Sequence, residues 1–129
     1  MIARGLPCAL VLALFAALPA AAAHVDSGAR GDVTAGPVCP VESVPPEPQC
    51  APRGFKTTIR VRTTKSTHKL VKKVQSHHDG SFKARLRPGS YVLEPASGSG
   101  GRPSCQSQQV RVKAHRFVRV HLDCDTGIR

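Results

Sequence analysis

Residues 79–93, Asp-Gly-Ser-Phe-Lys-Ala-Arg-Leu-Arg-Pro-Gly-Ser-Tyr-Val-Leu, constrain the fold more than any other stretch. Asp79-Gly80 is a turn dipeptide. After it Phe82, Ala84 and Leu86 alternate with Lys83, Arg85 and Arg87. Pro88-Gly89 turns the chain again, into a strand carrying Tyr91 and Leu93. Period-2 alternation bounded by Gly and Pro marks half-buried strands. The pattern predicts an all-β sandwich with its charges on the outside.

The first residues read as an address rather than a fold. Arg4 precedes an apolar run, Ala9 to Leu18, and Ala21-Ala22-Ala23 supplies small residues for cleavage. These features predict a signal peptide over 1–23. Pro7 and Pro19 bracket a run too short to span a bilayer, so no membrane span is expected after cleavage. Cys8 would leave with the signal. The mature chain then keeps Cys39, Cys50, Cys105 and Cys124. Four cysteines without a CxxC pair, in an exported domain of this size, predict two disulfides rather than a zinc site. The expected location is extracellular or at the cell envelope. The chain holds 19 Lys and Arg against 8 Asp and Glu; without Arg4 the balance is 18 against 8, or +10. Asn is absent, so no N-glycosylation acceptor exists.

The expected organisation is a flexible leader over 24–30, one β-domain over 31–125 and a tail over 126–129. Residues 31–35 form the first strand. Residues 39–50, CPVESVPPEPQC, hold four prolines and read as a surface loop tied at its base. Ile59 and Val61 face inward from the next strand. Residues 68–75 form a weaker strand, in which Lys72 shares a face with Leu70 and Val74; an edge position suits it. Residues 96–101 are a flexible Gly/Ser loop. Val110 and Val112, then Val118, Val120 and Leu122, predict a closing hairpin turning near Ala114-His115, with Val112 opposite Val118. That register leaves Cys105 one residue from the position opposite Cys124, within reach through a bulge. Cys39–Cys50 and Cys105–Cys124 is the local pairing among three possibilities.

Several of these motifs together resemble the carboxypeptidase regulatory-like domain of the transthyretin-like (prealbumin-like) sandwiches. They are Gly31-x-Val33, Ile59-x-Val61, Asp79-Gly80-x-Phe82, Leu86-x-Pro88-Gly89-x-Tyr91-x-Leu93 and the closing valine strands. The resemblance covers roughly residues 30–124. The segment Gly36-Pro37-x-Cys39-Pro40-Val41-Glu42 and the terminus from Asp125 also look like small secreted bacterial proteins of unknown function. The resemblance implies a seven-stranded Greek-key sandwich (transthyretin-like) with a non-catalytic role as an accessory, adhesive or sugar-binding module. The related collagen-adhesin B-type repeats can form isopeptide crosslinks promoted by a buried Glu. Here Glu94 is offset from Tyr91 and Leu93 and should face water, which argues against one.

Little supports catalysis. His77-His78-Asp79 reads as a turn, because adjacent strand residues point to opposite faces. His121-x-Asp123-x-Asp125 places three polar side chains on one face of a strand end, too few for a closed cation site. There is no G-x-S-x-G elbow, and Ser97 and Ser99 sit in a loop that cannot hold a nucleophile. No phosphate loop or dinucleotide fingerprint occurs, and no cofactor or metal is expected. The functional lead is basic: Arg60, Arg62, Lys83, Arg85, Arg87, Arg111, Lys113 and Arg119 occupy outward strand positions. They suit an anionic cell-wall polymer or acidic polysaccharide. The chain has no Trp, and of its aromatics only Phe55 and Phe117 are expected to be free, so specific nucleic-acid recognition is not expected. The expected function is a secreted binding or structural module and not an enzyme. The alternatives are a partner of an extracellular enzyme or an uncharacterised hydrolase.

Overall fold

Alternation predicts which face each residue takes, and Ile59, Val61, Phe82, Ala84, Leu86, Tyr91 and Leu93 are buried as predicted. Leu70, expected to share a face with Lys72 and Val74, lies instead opposite Arg62 beyond a register shift. The computed structural model describes Gly5, residues 25–40 and residues 44–128. The expected signal peptide over 1–23, together with His24, residues 41–43 and Arg129, lies outside the described residues. The strands are β1 (Gly28–Gly36), β2 (Arg53–Gly54), β3 (Thr58–Thr63), β4 (Leu70–Gln75), β5 (Ser81–Arg85), β6 (Gly89–Pro95), β7 (Ser104–Cys105), β8 (Gln108–Val112) and β9 (Phe117–Asp125). Two are two-residue stubs, β2 and β7; the other seven build the body. Single 3-10 turns lie at Pro48–Cys50 and Ser99–Gly101.

Two sheets form the sandwich. In the first, β1 is central: β9 runs parallel along its whole length, β5 and β2 pair antiparallel on its other side, and β7 extends β9. The second has the order β4-β3-β6-β8. The core between them holds Ala29, Val33, Ile59, Val61, Phe82, Ala84, Leu86, Tyr91, Leu93, Val110, Val112, Val120 and Leu122, with Val118 and Phe55 packed at its margin. Burying these side chains away from water is what holds the layers together. The buried Tyr91 hydroxyl donates to the Arg87 carbonyl at 2.6 Å, so its polar end is satisfied. Among the described residues, every buried side-chain N or O has a partner.

The closing hairpin does not exist as expected. β8 pairs with β6 in the second sheet, Gly89 opposite Val112, while β9 pairs with β1 in the first. The turn at Ala114-His115 is present, but it carries the chain between layers. Val112 and Val118 both face the core, from opposite sides of it. A sandwich buries two apolar faces against each other as well as a hairpin buries one, and alternation does not distinguish these. Pro88-Gly89 likewise joins strands in different sheets.

The leader is also anchored. β1 begins at Gly28, three residues before the expected start. Ser27 is buried; its hydroxyl donates to the Leu86 carbonyl at 2.6 Å, and its carbonyl accepts from the Leu86 N–H at 2.9 Å. Gly28 and Ala29 are too small to signal a strand by hydrophobicity. β4 is an edge strand with an irregularity opposite Val61/Arg62. Lys72 does share the inner face with Val74, and its Nζ reaches across to the Arg85 carbonyl at 3.3 Å. A cation on the inner face of an edge strand discourages pairing with another chain.

Both expected disulfides form, Cys39–Cys50 and Cys105–Cys124. No bulge is needed for the second. With β8 in the other sheet, Cys105 belongs to β7 and lies directly opposite Cys124 on β9, Cα to Cα 4.0 Å. The 96–101 loop is pinned at the same place: Ser97 Oγ accepts from the Cys105 N–H at 3.1 Å, and Gly98 donates to the Pro103 carbonyl.

Candidate functional site

The eight outward cations do not form one stripe. Arg60, Arg62 and Arg111 belong to the outer face of the second sheet, and Lys83, Arg85 and Arg119 to that of the first. Arg87 and Lys113 lie just beyond the ends of β5 and β8. The two groups differ in their surroundings. On the second sheet Arg60 is opposite Glu94, and Arg62 Nε donates to Glu94 Oε2 at 3.1 Å. Glu94 is half-exposed and offsets charge on that face.

On the first sheet the cations meet each other. Arg30 on β1 is directly opposite Lys83 on β5 and Arg119 on β9, and all three are exposed. Like charges opposite one another destabilise a sheet by a few tenths of a kcal/mol or more. Among the described residues, Arg30 and Arg119 take no side-chain hydrogen bond or ion pair. One row away Phe117 and Arg85 flank Gly28. Gly28 has no side chain to intervene, and Phe117 lies beneath both cations of β5: Lys83 Nζ is 4.5 Å and Arg85 Cζ 6.0 Å from the ring centre. Cation–π attraction of this kind contributes about 0.5–1 kcal/mol at exposed sites. Phe117 is therefore not a free platform, and Phe55 packs on the core.

One row from Arg30 in the other direction the same face turns acidic. Asp32 is flanked by Ser81 and His121, and Thr34 by Asp123. His121 Nδ1 faces Asp32 Oδ1 at 3.1 Å and Nε2 faces Asp123 Oδ1 at 2.7 Å. With both ring nitrogens engaged, the imidazole has no lone pair to offer a metal. The hydrogen bond to Asp32, reinforced by the charges of Asp32 and Asp123, raises the His121 pKa above the ordinary histidine value of 6.5. Because the folded pKa is the higher one, this stabilisation is fully present below pH 6.5 and is lost as pH rises through the folded value. His121→Gln should thus cost a few tenths to about 1 kcal/mol near pH 5, the range of exposed pairs, and almost nothing in alkali. Urea titrations of both proteins across that range check this; a pH-independent difference would assign His121 a packing role only.

Two depressions follow the face. One, of about 520 Å³, is lined by Arg30, Asp32, His77, Ser81, Lys83 and Arg119. The other, of about 820 Å³, is lined by His121, Asp123 and Asp125 together with Pro37, Cys39, Cys50 and Pro52. The Asp32–His121 pair stands between them.

The remaining expected residues are structural. Asp79 Oδ1 accepts from the Ser81 N–H at 2.9 Å and the Ser81 hydroxyl at 2.6 Å, which holds its carboxyl below the usual carboxylate range and sets the turn. His115 pairs with Asp26. Among the described residues no three His, Cys, Asp or Glu side chains gather to hold a metal. Two site residues were missed, Arg30 and Asp32. Their signal was the alternation Ala29, Gly31, Val33 against Arg30, Asp32, Thr34, which the small residues obscure.

No protein-family model matches this chain, and no curated protein matches it. Among solved structures it is similar to the minor pilin of the Gram-positive pathogen Streptococcus agalactiae, with a TM-score of 0.50 and 10% identity over 78% of this chain and 44% of the pilin. It is also similar to the TIE protein of Bacillus anthracis, with a TM-score of 0.49 and 12% identity over 78% of this chain and 17% of that one. (S)-allantoin synthase follows at a TM-score of 0.38 and 16% identity, over 77% and 41%. The chain spans less than half the length of each of these proteins. The likeness to the pilin is one of fold, and it agrees with the two-sheet sandwich described above.

Proposed function

We propose that this chain is an exported, non-catalytic β-sandwich module that binds anionic polymers of the cell envelope through the outer face of its first sheet. The observation that carries this reading is the row Lys83–Arg30–Arg119. Three cations held side by side on adjacent strands cost stability unless an anion lies across them. A polymer of regularly spaced phosphates or carboxylates supplies that charge, and the counterions it releases drive binding. The two disulfides fit an oxidising compartment. The sandwich shared with a minor pilin, and the resemblance to carboxypeptidase regulatory-like domains, both favour a surface module over an enzyme.

Titration against a glycerol-phosphate teichoic acid at several salt concentrations tests the reading. Log affinity should fall linearly with log salt, with a slope of about −2 to −4 for three or four contacts. Replacing Lys83 and Arg119 by Glu should weaken binding by about tenfold or more, roughly 1.4 kcal/mol. The slope should become shallower by about 2. The same change at Arg60 and Arg111, on the other sheet, should do much less. Equal losses from both pairs would reduce the effect to net charge, and salt-independent binding would overturn it.

A further inference from the structure

The proposed face is basic at one end and acidic at the other, and the two ends lie along one track. The row Lys83–Arg30–Arg119 is followed by the row Ser81–Asp32–His121 and then by Thr34–Asp123. Same-face rows are two residues apart along a strand, or about 7 Å. The smaller depression already spans the change of sign, since Arg30, Lys83, Arg119 and Asp32 all line it. The larger one lies on the other side of the Asp32–His121 pair, Asp32 lining the smaller and His121 the larger. Within that pair one imidazole is shared by two carboxylates, and both carboxylates stay solvent-accessible, with side-chain exposures of 47% for Asp32 and 74% for Asp123. Even with His121 protonated, the two carboxylates outnumber the one imidazolium that they share. A pure polyanion lying along the track is attracted by the first row and repelled by the next two.

Resting on the anionic-polymer reading, we infer that the ligand is zwitterionic: a phosphodiester polymer that also bears primary ammonium groups. Its phosphate lies on Lys83, Arg30 and Arg119, and its ammonium, about 7–14 Å along, on Asp32 and Asp123. Ammonium supplies three donors to carboxylates that His121 satisfies only in part. Pro37, Cys39, Cys50 and Pro52 line the larger cleft beside the sheet face and confine the polymer there.

The test compares one teichoic acid preparation carrying aminoacyl esters with the same preparation after mild alkaline removal of those esters. Removal makes the polymer more anionic, so attraction by charge alone predicts tighter binding afterwards. The inference predicts the reverse: the esterified polymer binds the wild type about three- to tenfold more tightly, the scale of two exposed ion pairs. In D32N/D123N the order should invert, with the stripped polymer gaining affinity because two repelling charges are gone; a thermal melt confirms that this variant folds. Equal or tighter binding of the stripped polymer to the wild type would overturn the inference and leave the anionic-polymer reading standing. An unchanged preference in D32N/D123N would also overturn it. Failure of the wild type to bind either form would overturn both.

Discussion

Alanine at position 31 is expected to abolish the cooperative fold. A Cβ at Gly31 would stand 1.6 Å from the Val120 carbonyl oxygen and 2.7 Å from its carbon. Both atoms are backbone, so no rotamer change relieves the clash. β1 is the centre of the first sheet and is held by β9 along one side and by β5 and β2 along the other. Making room means separating β1 from β9. The expected cost is more than about 4 kcal/mol, in the range reserved for backbone strain and core disruption. That is comparable with the whole stability of a small domain, about 5–15 kcal/mol. Gly31→Ala should show no cooperative urea transition, and a midpoint near that of the wild type would mean that β1 and β9 do not meet here. The same close approach sets Arg30 beside Arg119, so the tight packing and the proposed binding row have one cause.

Phe82→Ala should cost about 3–5 kcal/mol, the range for deleting a buried aromatic ring. Phe82 is 4% exposed and lies in the core with Ala84 and Leu86 from the same segment. The ring removed leaves a void that the rigid neighbouring strands cannot fill. Chemical denaturation should show a lower midpoint with an unchanged slope. A loss below about 1 kcal/mol would place the ring outside the core. Lys83 follows it on the opposite face of β5, so this variant should also weaken polymer binding to the extent that β5 loosens.

Both substitutions fall in segments whose faces are readable from the amino acids alone. Phe82, Ala84 and Leu86 alternate with Lys83, Arg85 and Arg87, Tyr91 and Leu93 are two apart on the next strand, and all five are buried. The same rule puts Ile59 and Val61 inward and Glu94 outward. The four prolines between Cys39 and Cys50 mark a surface loop, and the local pairing of its two cysteines, one of three possible from sequence, is the one formed. Each of these is a local property of the chain: a side-chain period, a turn dipeptide, a short loop.

Pairing partners are not local, and the tertiary structure alone decided them. Val112 and Val118 read as neighbours in one sheet, yet they approach from two. Cys105 reaches Cys124 through β7, a two-residue strand too short to show a period. Six of the eight expected cations sit on strands, but the two sheets divide them three and three, and Glu94 offsets Arg60 and Arg62 of the second. Arg30 and Asp32 complete the face of the first sheet because parallel pairing with β9 brings residues nearly ninety positions apart into one row. Alternation specifies which side of a strand a residue occupies; which strand lies beside it is set by how two apolar faces close on a single core.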